Sequence, residues 1–278
     1  MHGRASLLIT SAVLLLTFGL WLLLGGPASG SYADQTSEPI AVGATASPRA
    51  ECRDGVAVAG GFFSEGLDLT RNSELSSFDS APAGRDGFRV GTTNRAGRPE
   101  SVTAEALCER SKGRWRKAGA AVPAGGTADA RASCHRGETA TAGGFSAPGF
   151  AVGGPEVFAF ESIRKGSRAW KARAYEDSGA APGRIVAHVF CVPGTVRLRV
   201  VSELGDRFNR KTIDLKPNCP QGMKLYGGGF QGPRASGGPT PFMLPDRHSP
   251  DGHGWRTRFL GKQSPAGEVI AYSYCGPK

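Results

Sequence analysis

The side chains best suited to chemistry lie in one short stretch of the 278-residue sequence, residues 246–253 (DRHSPDGH). The stretch supplies two carboxylates and two imidazoles, from Asp246, His248, Asp251 and His253. Such oxygen and nitrogen donors can hold a divalent metal ion. The same stretch is rich in proline, glycine and polar residues, which is typical of a surface loop. Its counterparts in the repeats described below contain no histidine, which favours the loop and predicts neither a metal nor a cofactor.

A serine hydrolase is the alternative chemistry that composition alone permits. The sequence has no G-x-S-x-G motif, in which a strained turn presents the serine nucleophile. His135 and His188 have no obvious nucleophile beside them, and His188 falls on a predicted strand, where a boundary histidine is the simpler interpretation. A secreted hydrolase acting on envelope or extracellular polymers would therefore have to use residues 246–253.

Two basic stretches are candidates for binding polyanions. Residues 111–278 contain 25 Lys and Arg against 12 Asp and Glu, whereas residues 1–110 contain 9 against 12. The candidate contacts are Lys112, Arg114, Trp115, Arg116, Lys117, Arg207, Arg210 and Lys211. Such residues can bind an anionic envelope polymer, a polysaccharide or a lipid surface, and nucleic acid is the less expected partner outside the cell. A solvated strand or loop between modules would have the same composition.

These candidates lie on a threefold internal repeat that includes every cysteine of the chain. Each copy begins C-x-x-G, continues into G-G-F, carries an aromatic residue 36 positions after the first cysteine, and ends A-x-x-x-C. The cysteines are Cys52, Cys108, Cys134, Cys191, Cys219 and Cys275. The repeated core residues are Gly60, Gly61, Phe62, Phe88, Gly143, Gly144, Phe145, Trp170, Gly228, Gly229, Phe230 and Trp255. These coincident spacings predict three modules of the same structure.

The repeated cysteines predict a disulfide framework. Six cysteines permit 15 pairings. The simplest one that treats the modules alike is Cys52–Cys108, Cys134–Cys191 and Cys219–Cys275. Closing a loop of this length stabilises a module by roughly 4 kcal/mol in the chain-entropy model. Metal binding by these cysteines is disfavoured because each cluster contains a single cysteine and no C-x-x-C pair.

The G-G-F motif and the repeated aromatic residue have structural explanations. No Lys-Ser or Lys-Thr follows the glycines, so a phosphate-binding loop is not indicated. The glycines predict a bulge or a close approach of strands, with the phenylalanine in the core. The aromatic residue keeps a constant distance from both cysteines, which favours a core anchor over a sugar-stacking platform.

The N-terminal segment predicts export from the cytoplasm. Arg4 precedes an apolar run from Leu7 to Leu24, and small residues follow Pro27. This pattern is typical of a signal peptide, which is cleaved, or of a signal anchor, which remains as a transmembrane helix. Residues 1–30 are therefore assigned to the signal, and the rest of the chain is expected to be extracytoplasmic, either secreted or anchored to the membrane.

The remaining chain is predicted to be all-β, with modules at residues 31–110, 111–193 and 194–278. Strands are expected at Val56–Phe63, Thr139–Phe145, Lys224–Phe230, Val157–Ile163 and Val196–Val201. Residues 99–110 look helical in isolation, but their counterparts before the other closing cysteines are β-branched and aromatic, so a strand is predicted there too. The modules either form separate beads or pack into one pseudo-threefold assembly.

The repeat resembles one found in exported bacterial proteins of unassigned function, on the pattern C-x-x-G, G-G-F, W and A-x-x-x-C over most of residues 40–278. The first module departs from it, with Phe88 in place of tryptophan. A fainter similarity to the vitelline membrane outer layer protein family, whose repeats also open C-x-x-G, implies a β-prism. The resulting hypothesis is an exported, non-enzymatic envelope or extracellular protein that binds an anionic polymer or surface. A purely structural envelope role is the remaining alternative.

Overall fold

The computed structural model describes residues 31–32, 35–64, 75–95, 97–205, 212–232, 243–261 and 268–278. The predicted signal at residues 1–30 and the candidate contacts Arg207, Arg210 and Lys211 lie outside these residues. In the part that is described, no helix has the length and apolar character needed to cross a bilayer.

The described chain is all-β, and its strands alternate with short turns. The strands are β1 (Ser31–Tyr32), β2 (Thr36–Ile40), β3 (Thr45–Ala46), β4 (Arg49–Glu51), β5 (Val56–Phe63), β6 (Leu75–Pro82), β7 (Gly87–Asn94), β8 (Glu100–Glu109), β9 (Arg114–Val122), β10 (Thr127–Ser133), β11 (Glu138–Ser146), β12 (Val157–Lys165), β13 (Ala169–Glu176), β14 (Gly183–Pro193), β15 (Arg199–Gly205), β16 (Thr212–Leu215), β17 (Lys224–Gln231), β18 (Met243–Asp251), β19 (Gly254–Gly261) and β20 (Val269–Gly276).

The strands form three antiparallel sheets. The first sheet has the order β1, β8, β5, β18, β19, β16, and β2 also pairs with β8. In the second sheet β7, β6, β11, β14 and β9 follow one another, and β3 and β4 both pair with the outer edge of β7. The third sheet has the order β10, β13, β12, β17, β20, β15.

Each sheet combines strands from two of the predicted modules. The first module contributes β5 and β8 to the first sheet and β6 and β7 to the second, where they border strands of the third and second modules respectively. In the third sheet β12 of the second module borders β17 of the third. Residues Tyr32–Lys278 accordingly form one compact unit, and the modules are repeats of sequence that interlock in space.

The two glycines of each G-G-F motif allow this interlocking. A β-bulge precedes the pair in β5, β11 and β17, and it turns the first glycine toward the core. A Cβ atom on Gly228 would overlap the Trp255 ring, so the aromatic side chain packs directly on the strand. A Cβ atom on Gly61 would overlap the carbonyl oxygen of His248, so the second glycine admits the neighbouring strand of another module.

The core of this unit is formed mainly by the repeated aromatic residues. Phe62, Phe145 and Phe230 are at most 1% exposed. Phe88, Trp170 and Trp255 occupy equivalent positions in β7, β13 and β19 and are also at most 1% exposed. Five of these six aromatic residues lie in one large buried cluster, and Trp255 lies in a second, smaller one.

The three disulfides of the structure are the predicted ones: Cys52–Cys108, Cys134–Cys191 and Cys219–Cys275. The Cα atoms of each pair lie 5.5–5.6 Å apart, the spacing that an ordinary disulfide requires. Each bond joins the start of a module to its closing strand, so it fixes one module internally. The contacts between modules are non-covalent: strand pairing, core packing and ion pairs such as Arg95–Asp177 and Lys224–Glu109.

Most predicted strands are confirmed, and two local predictions are wrong. Residues 99–110 form β8, as their counterparts indicated. The strand expected at Val196–Val201 begins at Arg199 and continues to Gly205. The stretch 246–253, predicted as a loop, belongs largely to β18, and only its last two residues form a turn. Proline and charged residues are uncommon in strands, so the sequence of this segment did not predict one. The segment is a strand because it pairs with β5 and β19.

Candidate functional site

The outward faces of the three sheets differ at one equivalent position, opposite the second glycine of each motif. The register pairs Gly61 with Glu105, Gly144 with His188 and Gly229 with Tyr272. Strand approach requires the glycine, whereas the residue opposite is free to vary. Glu105 is covered by Gln35, whose amide donates to its carboxylate, and Tyr272 donates to Gln231. On the second sheet, the residue at this position, His188, lines a groove.

The groove has a volume of about 510 Å³ and lies between the first and second modules. Arg89 of β7 lines one side, and Lys117 of β9 and Arg184 of β14 line the other. Ser146 and His188 form the polar part of its floor. The remaining lining residues are alanine, glycine, proline and valine.

Strand alternation places these side chains on the outward face. Lys117 is directly opposite His188 in the pairing of β9 with β14, and Ser146 follows Gly144 by two residues on β11. The intervening residues Phe145 and Ala187 face the core and are at most 1% exposed. Burial of the inward face therefore determines which residues reach the groove.

Ser146 and His188 form a buried hydrogen-bonded pair. Ser146 Oγ lies 2.8 Å from His188 Nε2, and both residues are 8% exposed. Burial, and then the nearby charges of Lys117 and Arg89, lower the pKa of His188 to about 4, so the imidazole is neutral at neutral pH. Ser146 is a hydroxyl nucleophile that the sequence does not place beside His188, because 42 residues separate the two and only the pairing of β11 with β14 brings them together.

The Ser146–His188 pair lacks the third member of a catalytic triad. Among the residues that the structure describes, no carboxylate hydrogen-bonds to His188. The neighbouring cations also disfavour the imidazolium that a general base must become. The pair is therefore better suited to hydrogen bonding with a ligand than to nucleophilic catalysis.

The cations of the groove are only partly neutralised. Arg89 donates to Asp79 at 2.7 Å, and the same carboxylate accepts the backbone N–H of Ala147 at 2.8 Å. Burial raises the pKa of Asp79, and the Arg89 charge opposes this shift. Within the described ranges, Lys117 and Arg184 have no acidic partner. The groove therefore carries an excess of positive charge.

A glycine sets the position of Arg184. A Cβ atom on Gly119 would lie 2.8 Å from Arg184 Nε and 3.0 Å from its Nη2. The guanidinium therefore rests against the backbone of β9 at residue 119. Lys117 lies two residues away on the same face of that strand, so the two cations share one end of the groove.

Strand alternation divides the predicted basic stretch at residues 112–117. Lys117 joins the groove, whereas Arg116 forms two hydrogen bonds with Glu138, at 3.0 and 3.3 Å, and these lower the pKa of that carboxyl. Trp115 donates its indole N–H to the carbonyl of Ala57 at 2.8 Å and packs against Phe190. Trp115 thus stabilises the contact between modules. Lys112 and Arg114 are exposed outside the groove lining.

The proposed metal ligands of residues 246–253 face different surroundings. His248 is 5% exposed, contacts the rings of Phe230 and Trp255, and its Nδ1 lies 3.0 Å from Thr257 Oγ1. Asp251 forms ion pairs with Lys216 and Arg256. His253 is exposed in the turn, and the side chain of Asp246 lies outside those described.

Another group of possible metal ligands includes two cysteines that form a disulfide. Among the described residues, the ligand atoms of Cys134, Glu138 and Cys191 lie within 4.8 Å of one another. The two cysteines form a disulfide, which leaves no thiolate for a metal. Glu138 is paired with Arg116, so this group is explained by structure.

Acidification is expected to destabilise the fold through two buried histidines. Burial lowers the pKa of His188 to about 4 and that of His248 to about 3, from 6.5. The unfolded chain takes up these protons below pH 6.5 while the folded chain does not, so stability is complete above that pH and declines as pH falls toward 4. Urea unfolding at pH 7.5 and 4.5 should show a loss of about 2 kcal/mol per histidine.

Variants separate this effect from general acid denaturation. His188→Gln should remove about half of the loss assigned to the two histidines. His253→Gln, which changes an exposed imidazole, should leave the pH profile unchanged. Equal profiles for all three proteins would contradict the assignment.

No protein-family model matches the chain, and no curated protein sequence matches it.

Proposed function

We propose that the protein is an exported, non-enzymatic binding protein whose groove on the second sheet takes anionic groups of an envelope or extracellular ligand. The observation that carries the proposal is the pair of cations, Lys117 and Arg184, which lack acidic partners among the described residues and lie beside the neutral Ser146–His188 pair. Buried, neutral hydrogen-bonding groups beside exposed cations are suited to holding an anion without chemistry on it.

The location is part of the same proposal. Three disulfides are typical of an oxidising compartment outside the cytoplasm. Residues 1–30 would act as the signal peptide or signal anchor that delivers the chain there. The ligand would then be an anionic polymer, polysaccharide or lipid surface, and nucleic acid is the less expected partner.

We also propose that the three sheets form a pseudo-threefold β-prism. The support is that equivalent hairpins pair in the same way three times: the G-G-F strand and closing strand of one module border the central hairpin of another. This arrangement is compatible with the faint likeness to the vitelline membrane outer layer protein family and with the repeat of exported bacterial proteins.

The two alternative functions have less support. A hydrolase would need a carboxylate partner for His188, and the described residues offer none. A purely structural role leaves the basic groove beside His188 unexplained, whereas the equivalent residues Glu105 and Tyr272 are engaged by Gln35 and Gln231.

Neutralising the groove is expected to weaken polyanion binding. Lys117→Gln and Arg184→Gln should each lower the affinity of the full-length protein for inorganic polyphosphate roughly fivefold, because a partly exposed charged contact contributes on the order of 1 kcal/mol. Both changes should also reduce the dependence of binding on salt concentration. Titration calorimetry at several salt concentrations measures both effects.

The matched control removes the same charge elsewhere. Arg131 is an exposed cation of β10 on the third sheet, away from the groove lining. Arg131→Gln should change the affinity by less than about twofold. An equal loss in Arg131→Gln and the groove variants would mean that overall charge, and not the groove, attracts the polyanion.

A further inference from the structure

The polar side chains of the groove are nearly all hydrogen-bond donors. Arg89, Lys117 and Arg184 can only donate, whereas Ser146 and His188 use one hydrogen bond on each other. Among the lining residues that the structure describes, none is an aspartate, glutamate, asparagine or glutamine. The groove therefore favours a ligand that accepts hydrogen bonds and has few protons to donate.

This lining is a poor match for sugar rings. Each sugar hydroxyl donates as well as accepts, so a polysaccharide needs side-chain acceptors that the described lining lacks. No aromatic residue lines the described groove either, so neither the faces of sugar rings nor nucleobases have a stacking surface. The absence of acceptors and of aromatic rings argues against an acidic polysaccharide.

A phosphodiester group has the complementary chemistry. It carries one full negative charge without a titrating proton, and its two non-bridging oxygens are acceptors. Arg184 presents a fork of donors and Lys117 a point charge at the same end of the groove, which suits one such group. When Nε2 of neutral His188 carries the proton and donates to Ser146 Oγ, the hydroxyl proton of Ser146 is free to donate to the phosphate.

The shape of the floor suits a thin chain on either side of that group. Ala118 on β9 and Ala81 on β6 have small side chains, which leave the backbone close to the groove surface, whereas Arg184 covers Gly119. A volume of about 510 Å³ accommodates one phosphodiester with short flanking carbon units.

We propose that the groove binds a phosphodiester group in preference to a carboxylated or sulfated polysaccharide. The group belongs either to a soluble phosphodiester-linked chain or to a phospholipid headgroup, which present the same chemistry. This inference rests on the proposed function, because it names the class of anion that the same groove takes.

The test compares two soluble ligands matched in number of charges. Titration calorimetry of the full-length protein with oligo(glycerol phosphate) and with oligogalacturonate should give at least about tenfold tighter binding of the phosphodiester. Ser146→Ala should weaken phosphodiester binding by roughly threefold or more. Ser202→Ala, the matched change at an exposed serine of β15 on the third sheet, should have no effect.

The possible results separate the two proposals. Equal or tighter binding of oligogalacturonate, with loss in Lys117→Gln and Arg184→Gln, would overturn the phosphodiester assignment and leave the anion-binding groove intact. If both ligands bind and neither substitution changes the affinity, the proposal that the groove binds anions would be overturned as well.

A vesicle assay distinguishes the two sources of the phosphodiester. The ligand would be assigned as a phospholipid headgroup if the protein sediments with phosphatidylglycerol vesicles and not with phosphatidylcholine vesicles. This sedimentation should be lost in the Lys117→Gln, Arg184→Gln double variant. Dependence on these two residues separates the groove from any contribution of residues 1–30. Tight binding of oligo(glycerol phosphate) without groove-dependent sedimentation would assign a soluble chain.

Discussion

Residues 111–193, the second module alone, are expected to remain unfolded even with the disulfide Cys134–Cys191 formed. In the intact protein β11 borders β6 of the first module and β12 borders β17 of the third. An isolated second module would expose both of these strand edges and the core side chains Phe145 and Trp170. A single disulfide of this length contributes roughly 4 kcal/mol, too little to replace two sheet partners and a shared core.

Circular dichroism and amide NMR spectra measure this directly. The fragment is expected to show narrow amide dispersion and no cooperative thermal transition, whereas residues 31–278 should show both dispersion and cooperativity. Amide dispersion and a cooperative transition should return when both other modules are added as separate fragments, and not when only one of them is added. A dispersed spectrum and a cooperative transition from the second module alone would mean that the interlocked pairing is not required for folding.

Gly61→Ala is the substitution expected to cost the most stability for the fewest added atoms. The new Cβ atom would overlap the His248 carbonyl oxygen and lie 2.8 Å from Ser249 Cα. Both are backbone atoms of β18, so relief requires that β18 move away from β5, which breaks the contact between the first and third modules. We expect a loss of about 3 kcal/mol or more in the free energy of unfolding.

Urea denaturation of the variant and of a matched control measures this cost. Gly97 is exposed, and a Cβ atom added to it would have no heavy atom within 4 Å beyond its chain neighbours. Gly97→Ala should therefore change the free energy of unfolding by no more than about 0.5 kcal/mol. If Gly61→Ala were as mild as Gly97→Ala, the close approach of β5 and β18 would not be needed for stability.

Sequence spacing alone determined the repeats, and it predicted the disulfide partners and most strands. Three copies of C-x-x-G, G-G-F and A-x-x-x-C restrict the cysteine pairing, because equivalent segments adopt equivalent conformations. The same equivalence predicted β8 as a strand although residues 99–110 look helical. These features depend on interactions within one module, so the spacing of residues within each repeat is enough to predict them.

The relation between modules depended on the tertiary structure. The sequence left open whether the modules form separate beads or one assembly, because the sequence of a strand does not specify which other strand will pair with its edge. The pairing of β6 with β11 and of β5 with β18 answers this. It also explains His248, a candidate metal ligand in the sequence, whose imidazole lies against Phe230 of the core.

The groove likewise depended on the tertiary structure. Arg89 belongs to one module, whereas Lys117, Ser146, Arg184 and His188 belong to the next. The sequence singled out Lys117 as part of a basic stretch, but alternation along β9 separated it from Arg116, and Trp115 is engaged by Ala57 of the first module. Sequence periodicity determines which side of a strand each residue takes, while the non-local pairing of strands determines which residues share a site.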